Sequence, residues 1–129
     1  MWRALTALAV LALASANAMA EETVKVGLIL PMTGPFTTTG KQVEAGARFY
    51  MQQNGATVDG RKIELILRDD AGVADNSRRI AQQLLAVDKV NILAGFGLTP
   101  IALAVAPLAT ETKTPMVVMA AAFPRLRRS

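Results

Sequence analysis

The most constraining feature of this sequence is the regular alternation of short β-rich runs with longer helical stretches. Strands are predicted at residues 24–30, 62–68, 90–94 and 116–119, with helices between them. The first strand has a nearly continuous apolar second half, which a strand covered on both faces requires. Strands that alternate with helices predict an α/β domain with an open parallel sheet and right-handed crossovers.

The helices are predicted from apolar residues at helical spacing. In residues 41–54, the spacing of Val43, Ala47, Tyr50 and Met51 predicts a buried stripe, so Tyr50 is expected to pack in the core. Asp75 is expected to cap the second helix, whose apolar side carries Ile80, Ala81, Leu84 and Leu85. Thr99 and Pro100 are expected as N-cap and first residue of the third helix, in which Ile101, Val105 and Leu108 form the buried stripe and Pro107 should cause a kink.

The strand order locates a crevice. Asp59-Gly60 predicts a turn, and the alternating strand that follows it is expected at an edge of the sheet. In an open sheet of order 2-1-3-4, the first and third strands are neighbours, and the loops at their carboxyl ends face one crevice. Those loops are residues 31–40 and 95–99, and a ligand is expected between them.

The two loops supply hydroxyl groups, backbone amides and aromatic rings. The hydroxyl groups and rings belong to Thr33, Thr37, Thr38, Thr39, Thr99, Phe36 and Phe96, and Gly97 supplies a free amide. Amides and hydroxyls at a helix N-terminus suit a carboxylate, because the helix dipole favours negative charge. Thr99 would be the main contact. The alternative is that Thr99 only caps its helix and that Gly95 and Gly97 only permit the turn.

Other motifs give weaker indications. Residues 95–97 resemble the start of a dinucleotide-binding fingerprint, but Thr99-Pro100 stands where its third glycine should follow. The adjacent Asp69 and Asp70 should point to opposite sides of a strand end, so they are not expected to share a metal ion. One of these carboxylates is expected to cap or order the following loop.

Composition excludes several classes of function. The chain has no His and no Cys, which excludes Ser-His and Cys-His catalytic arrangements, thiolate metal sites and disulfides. We therefore expect no catalytic residues, no metal and no cofactor. The net charge of +4 comes from Arg3 and from Arg125, Arg127 and Arg128 near the two ends, and the acidic and basic residues between them balance. Without a basic face, nucleic-acid binding is not expected.

The first 20 residues have the pattern of an export signal. Arg3 precedes an apolar run at residues 4–14, and an A-x-A site ends at Ala20. An apolar run of about 11 residues is too short to span a bilayer, which needs about 20. We expect residues 1–20 to be a cleaved signal peptide and the mature chain to be periplasmic.

An ordered series of motifs carries a resemblance to a known family. The signal peptide, residues 24–35, Gly46-Ala47, residues 60–65, Asp69-Asp70, Gly95, Thr99 and residues 115–122 together resemble periplasmic binding proteins for branched-chain (Leu/Ile/Val-type) amino acids. These are the substrate-binding components of ABC transporters. The resemblance implies half of lobe one of a two-lobed type I periplasmic-binding fold in residues 21–122. It also implies a role in the uptake of branched-chain or related amino acids with a membrane permease as partner.

The resemblance also implies positions for ligand contacts. In the family, the loop after the third strand and the segment after the fourth hold the ligand carboxylate, which corresponds to Thr99 and Ala121 in this sequence. A third position, usually Thr or Ser, is Phe123 here. A tyrosine that some members place near the ligand corresponds to Thr39. The predicted ligand site consists of Thr99, Ala121 and Thr39, which the resemblance implies, together with Phe36 and Gly97 from the two loops.

The match to the family is lost after Ala122. Residues 123–129 form an aberrant basic tail, and we expect a truncated or frameshifted reading of a longer protein, the alternative being a genuine short tail. Such a chain is expected to bind ligand weakly or not at all by itself. The alternative function is the extracellular ligand-sensing domain of a receptor, and an α/β enzyme is the third possibility.

Overall fold

The computed structural model of this protein describes residues 22–121, which form an alternating series of strands and helices. In chain order the elements are β1 (Thr23–Leu30), α1 (Thr37–Asn54), β2 (Thr57–Val58), β3 (Arg61–Asp69), α2 (Ala74–Ala86), β4 (Ile92–Gly95), α3 (Thr99–Glu111) and β5 (Met116–Val118). The predicted signal peptide, residues 1–20, and the predicted tail, residues 123–129, lie outside the described residues.

The strands form one five-stranded sheet in the order β2-β3-β1-β4-β5. β1 runs parallel to both β3 and β4, and β4 runs parallel to β5. The predicted order of the four longer strands is therefore confirmed, with β1 and β4 adjacent at the centre.

The edge of the sheet differs from the prediction because β2 was missed. β2 pairs antiparallel with β3, with Val58 opposite Arg61. Between them, Asp59 and Gly60 have φ angles of 50° and 74°, which are the two positive φ angles of a type I′ hairpin turn. The Asp-Gly turn signal was correct, but it closes a hairpin, so the edge beside β3 is occupied by this two-residue strand.

The two faces of the sheet have cores of different size. Ile29 lies in the larger core with α2 and α3, whereas Leu28 and Leu30 face α1. This confirms that the end of β1 is covered on both faces, as its apolar run predicted. The larger core consists of Ile29, Ile80, Ala81, Leu84, Val90, Leu93, Phe96, Ile101, Ala102, Val105 and Ala109.

The helix α1 begins earlier than predicted and packs differently. It starts at Thr37 instead of Lys41, since the Gly40 amide already donates to the Phe36 carbonyl at 3.3 Å. Tyr50 is 66% exposed in the described part of the chain, so the prediction that it packs in the core is wrong. Tyr50 lies at the flank of the stripe of half-buried residues formed by Val43, Ala47 and Met51.

The N-caps of α2 and α3 also lie before the predicted cap residues, by two positions in α2 and by one position in α3. Val73 is the N-cap of α2, and Asp75 lies in its first turn, where its charge suits the helix dipole. Leu98 is the N-cap of α3, which makes Thr99 the first helical residue. Pro107 lies inside α3, but the helix continues to Glu111. None of the helices in residues 22–121 is long and apolar enough to cross a bilayer.

Candidate functional site

The candidate site is a crevice at the carboxyl ends of the parallel strands. We define the crevice by four segments: residues 31–36 after β1, 70–73 after β3, 96–98 after β4 and 119–121 after β5. Parallel strands deliver these segments to one edge of the sheet, which is where open α/β sheets bind ligands. The strand order had predicted the first and third of these segments.

Gly95 and Phe96 fix the segment after β4 against β1. The Phe96 amide donates to the Ile29 carbonyl at 2.9 Å. Gly95 has a φ of 111°, and a Cβ there would collide with the backbone carbonyl of Ile29. Phe96 has a φ of 65°, which is rare for a bulky side chain and is a kind of strain that clusters at functional sites.

The aromatic ring of Phe96 is placed differently from its predicted position. Phe96 is fully buried in the larger core, so its ring is unavailable to a ligand in the crevice. Its contribution to the crevice is its backbone. The Phe96 carbonyl accepts a hydrogen bond from the Ala121 amide at 3.1 Å, and the Gly95 carbonyl accepts one from the Met119 amide at 2.8 Å. The structure therefore brings Ala121 beside the segment that contains Gly97.

Phe36 lies at the rim of the crevice, between two other segments. A Cβ built on Gly72 would lie 3.1 Å from Cδ2 of Phe36 and 3.6 Å from Cδ1 of Leu98. These side chains therefore meet over a glycine, which has a φ of 74° and no side chain to separate them. Phe36 remains 42% exposed, so its ring and the half-buried Leu98 give the crevice an apolar side.

The threonines of the predicted site fall in different environments. Thr99 is half-buried in the first turn of α3, next to the segment with Gly97. Thr39 lies within the first turn of α1 and not in a loop, which corrects the predicted boundary of residues 31–40. Thr33 is in the loop, and its hydroxyl donates to the Asp69 carboxylate at 2.7 Å.

Asp69 and Asp70 each organise a loop, as predicted for one of them. The Asp70 side chain is fully buried and accepts hydrogen bonds from the Gly72 amide at 2.8 Å and from the Ser77 hydroxyl at 2.7 Å. Asp69 accepts a hydrogen bond from the Ala71 amide at 2.8 Å. Both carboxylates thus order the connection between β3 and α2.

Asp69 also reaches across to the loop after β1, which the sequence did not predict. Its Oδ1 atom accepts from the Met32 amide at 2.8 Å and from the Thr33 amide at 3.3 Å. We refer to Asp69 with Met32, Thr33 and Ala71 as the Asp69 cluster. Met32 and Thr33 are 37 and 36 positions from Asp69 in the sequence, and the only local signal was the polar end of an otherwise apolar strand.

The hydrogen bonds of the Asp69 cluster change the acidity of the carboxyl group. Desolvation raises the pKa of Asp69, but the hydrogen bond from the Thr33 side chain and those from the amides of Ala71, Met32 and Thr33 lower it by more in total. The pKa of Asp69 therefore lies below its ordinary value. The charged carboxylate is the form that these donors stabilise.

We expect the stability that the Asp69 cluster provides to depend on pH in one direction. Because the folded-state pKa is lowered, this stability is complete above the ordinary carboxyl pKa of about 4 and is lost as the pH falls through the lowered value. An acid titration followed by NMR should show the amide signals of Met32 and Ala71 moving together with the Asp69 carboxyl signal. Amide signals that move at a higher pH than this carboxyl would contradict the assignment.

The described residues contain no group of three or more acidic, His or Cys side chains that could hold a metal ion. The Asp69 and Asp70 carboxylates are instead engaged by amide and hydroxyl donors. The crevice presents backbone amides at the start of a helix beside apolar side chains. This combination suits an organic acid, because the amides favour an anion and the apolar side covers the rest of the molecule.

Comparison with known proteins gives consistent matches. The family model described as periplasmic binding protein matches residues 23–127. The Leu/Ile/Val-binding protein homolog 6 of Brucella abortus (strain 2308) is 46% identical over 121 residues, which cover 92% of this chain and 30% of that protein. This chain therefore spans less than a third of the length of this curated relative.

Two solved structures are similar to this chain in fold and sequence. A solute-binding protein of an ABC transporter from Rhodopseudomonas palustris BisB5, in complex with 3,4-dihydroxybenzoic acid, is 57% identical with a TM-score of 0.76, over 77% of this chain and 27% of that one. A leucine-binding protein from Thermotoga maritima is 32% identical with a TM-score of 0.77, over 82% of this chain and 30% of that one. These relatives are binding proteins.

Proposed function

This chain belongs to the periplasmic binding protein family, and from that premise we propose that it forms part of the solute-binding component of an ABC transporter. Its crevice would hold the carboxylate of a branched-chain or related amino acid, or of an aromatic acid. The observation that carries the proposal is the meeting of the segments after β4 and β5, where the Ala121 amide bonds to the Phe96 carbonyl. This contact brings the Ala121 backbone beside the segment that leads to Gly97 and Thr99, which supports a ligand site shared by these residues.

The carboxylate is proposed to lie at the start of α3. The dipole of a helix gives its first turn a partial positive charge, which favours an anion there. Thr99 is in this first turn, and Gly97 precedes it by two residues. The side chains of Phe36 and Leu98 would contact the apolar part of the solute. Thr39, in the first turn of α1, is proposed as a more distant contact.

The exposed ring of Phe36 favours an aromatic acid among these solutes. Aromatic rings gain from offset or edge-to-face contact with another ring, which an aliphatic side chain cannot provide. The 57% identical relative was solved with an aromatic acid, 3,4-dihydroxybenzoic acid. The family implies a periplasmic or extracellular location. We propose export by a signal peptide at residues 1–20 and delivery of the solute to a membrane permease.

We expect the 129-residue chain to bind an aromatic acid weakly, with a Kd in the millimolar range. Such a Kd corresponds to a binding free energy of only about 4 kcal/mol. Titration with 3,4-dihydroxybenzoate, followed by amide NMR shifts, should perturb Gly97, Leu98, Thr99 and Ala121. Leucine should perturb the same amides at higher concentration. Weak binding is expected because the chain spans less than a third of its curated relative.

The control ligand is 3,4-dihydroxybenzamide, which keeps the ring and lacks the carboxylate. It should leave these amides unperturbed. An equal response to the amide would contradict the carboxylate site, and the absence of any response to the acid at tens of millimolar would contradict the proposed function. A micromolar Kd would show that this crevice alone is a complete site, contrary to the proposal.

A further inference from the structure

We propose that Asp69 is a positioning residue for the ligand crevice: it ties the loop after β1 to the loop after β3 and so holds Phe36 in place over Gly72. This inference rests on the proposed function and adds a role for a residue outside the predicted ligand contacts. Asp69 itself would not touch the ligand, because its two oxygens are engaged by Met32, Thr33 and Ala71.

The carboxylate of Asp69 contacts two segments of the crevice. On one side, Asp69 accepts hydrogen bonds from the Met32 and Thr33 amides and from the Thr33 hydroxyl. On the other side it accepts one from the Ala71 amide. Hydrogen bonds to an ionised acceptor are stronger than neutral ones. This side chain therefore links the two loops beyond the end of the strand pairing, next to the backbone hydrogen bond that the Asp70 amide donates to the Leu30 carbonyl at 3.1 Å.

The hydrogen bonds of the Asp69 cluster lie close in sequence to the ring of Phe36 and to Gly72. Phe36 follows Thr33 by three residues, and Gly72 directly follows Ala71, so each partner in the contact between ring and glycine is close in sequence to a residue that Asp69 holds. The ring lies close enough that a side chain on Gly72 would crowd it, since a Cβ added there would approach Cδ2 of Phe36 to 3.1 Å. A small displacement of either loop would move the ring across the crevice.

The location of the Asp69 cluster outside the larger core indicates a role in positioning the crevice more than in folding. The Asp69 cluster lies at the exposed end of β3, whereas the larger core is formed by buried side chains of β1, β4, α2 and α3. A surface hydrogen-bond cluster contributes little to folding free energy compared with a core. Removing it should therefore affect the crevice more than the stability of the domain.

The variants separate the contribution of the Asp69 carboxylate from that of the Thr33 hydroxyl. Asp69→Asn keeps the size of the side chain but removes the charge and the second acceptor that the Thr33 hydroxyl requires. Thr33→Val removes only the hydroxyl, and Thr33→Ser keeps it. Asp59→Asn is the matched control, since it makes the same chemical change in the turn between β2 and β3, where Asn is also favoured.

The experiment measures affinity for 3,4-dihydroxybenzoate by NMR shifts in the full chain, together with Tm and the ring contact between Phe36 and Gly72. We expect Asp69→Asn to weaken binding about tenfold and to lose the ring contact, with a change in Tm of a few degrees. Thr33→Val should weaken binding two- to threefold. Thr33→Ser, which keeps the hydroxyl, should bind more tightly than Thr33→Val. Asp59→Asn should bind as the unmodified chain does.

The outcomes distinguish this inference from the proposed function. Unchanged affinity in Asp69→Asn or in Thr33→Val, with the unmodified chain binding normally, would overturn the positioning role alone. Failure of the unmodified chain to bind would reject the proposed function, and the inference with it. If Asp69→Asn does not fold, the comparison of Thr33→Val with Thr33→Ser decides the question, because both keep the carboxylate.

Discussion

Replacing Gly95 by alanine is expected to destabilise the domain by about 2–5 kcal/mol, from a left-handed backbone penalty of about 1–2 kcal/mol and a packing clash of about 1–3 kcal/mol. Gly95 has a φ of 111°, and the new Cβ would lie 3.1 Å from the carbonyl carbon and 3.2 Å from the amide nitrogen of Ile29. The clash is with the backbone of the central strand, which cannot move aside as a side chain could. Thermal unfolding of the two chains should show a Tm lower by about 10 °C or more.

The matched control is Gly46→Ala. Gly46 lies in the middle of α1, where nothing is within 4 Å of an added Cβ. Alanine there should stabilise the helix by about 0.5–1 kcal/mol, because glycine loses more conformational freedom on folding. If both substitutions changed Tm equally, the proposed close approach of Gly95 to β1 would be wrong.

Replacing Leu84 by alanine is expected to cost about 2–5 kcal/mol, from the lost burial and the cavity left behind. Leu84 is 0% exposed and lies in the larger core, where its Cδ1 atom would be 2.9 Å from a Cβ on Gly27. The absence of a side chain at Gly27 is therefore what admits Leu84 against β1. Denaturant unfolding should show a lower midpoint with an unchanged slope.

Leu103→Ala supplies the comparison for Leu84. Leu103 is also helical but is 43% exposed on α3, and its truncation should cost less than about 1 kcal/mol. A similar cost at both positions would contradict the burial that the structure assigns to α2 and α3.

The fold was predictable because it depends on patterns that repeat along the chain. The apolar end of β1 and the stripe of Ile80, Ala81 and Leu84 indicated a sheet covered on both faces. The expected strand order is that of the common open parallel sheet, and the structure has that order. Tyr50 was misplaced, since the spacing of residues defines the direction of a stripe but not the width that a sheet covers. β2 was missed because two residues are too few for any pattern.

The site was only partly predictable, because its geometry depends on contacts between distant residues. The strand order located the crevice, and the family resemblance pointed to Thr99 and Ala121, which remain predictions as ligand contacts. Local sequence could not show that the ring of Phe96 turns inward, since this follows from its positive φ after Gly95. Nor could it show that Asp69 bonds to Met32 and Thr33, because only the folded sheet brings them together.

The pairing of β1 with β3 ends with Leu30 opposite Asp69. A slip of one residue between these strands would turn every side chain of the moved strand to the other face. It would also carry the Asp69 carboxylate away from Met32 and Thr33, so a misaligned sheet would lose its buried surface and its crevice together. The same alignment therefore satisfies the core and the crevice, and a chain that reaches its most stable sheet has also assembled the loops of the crevice.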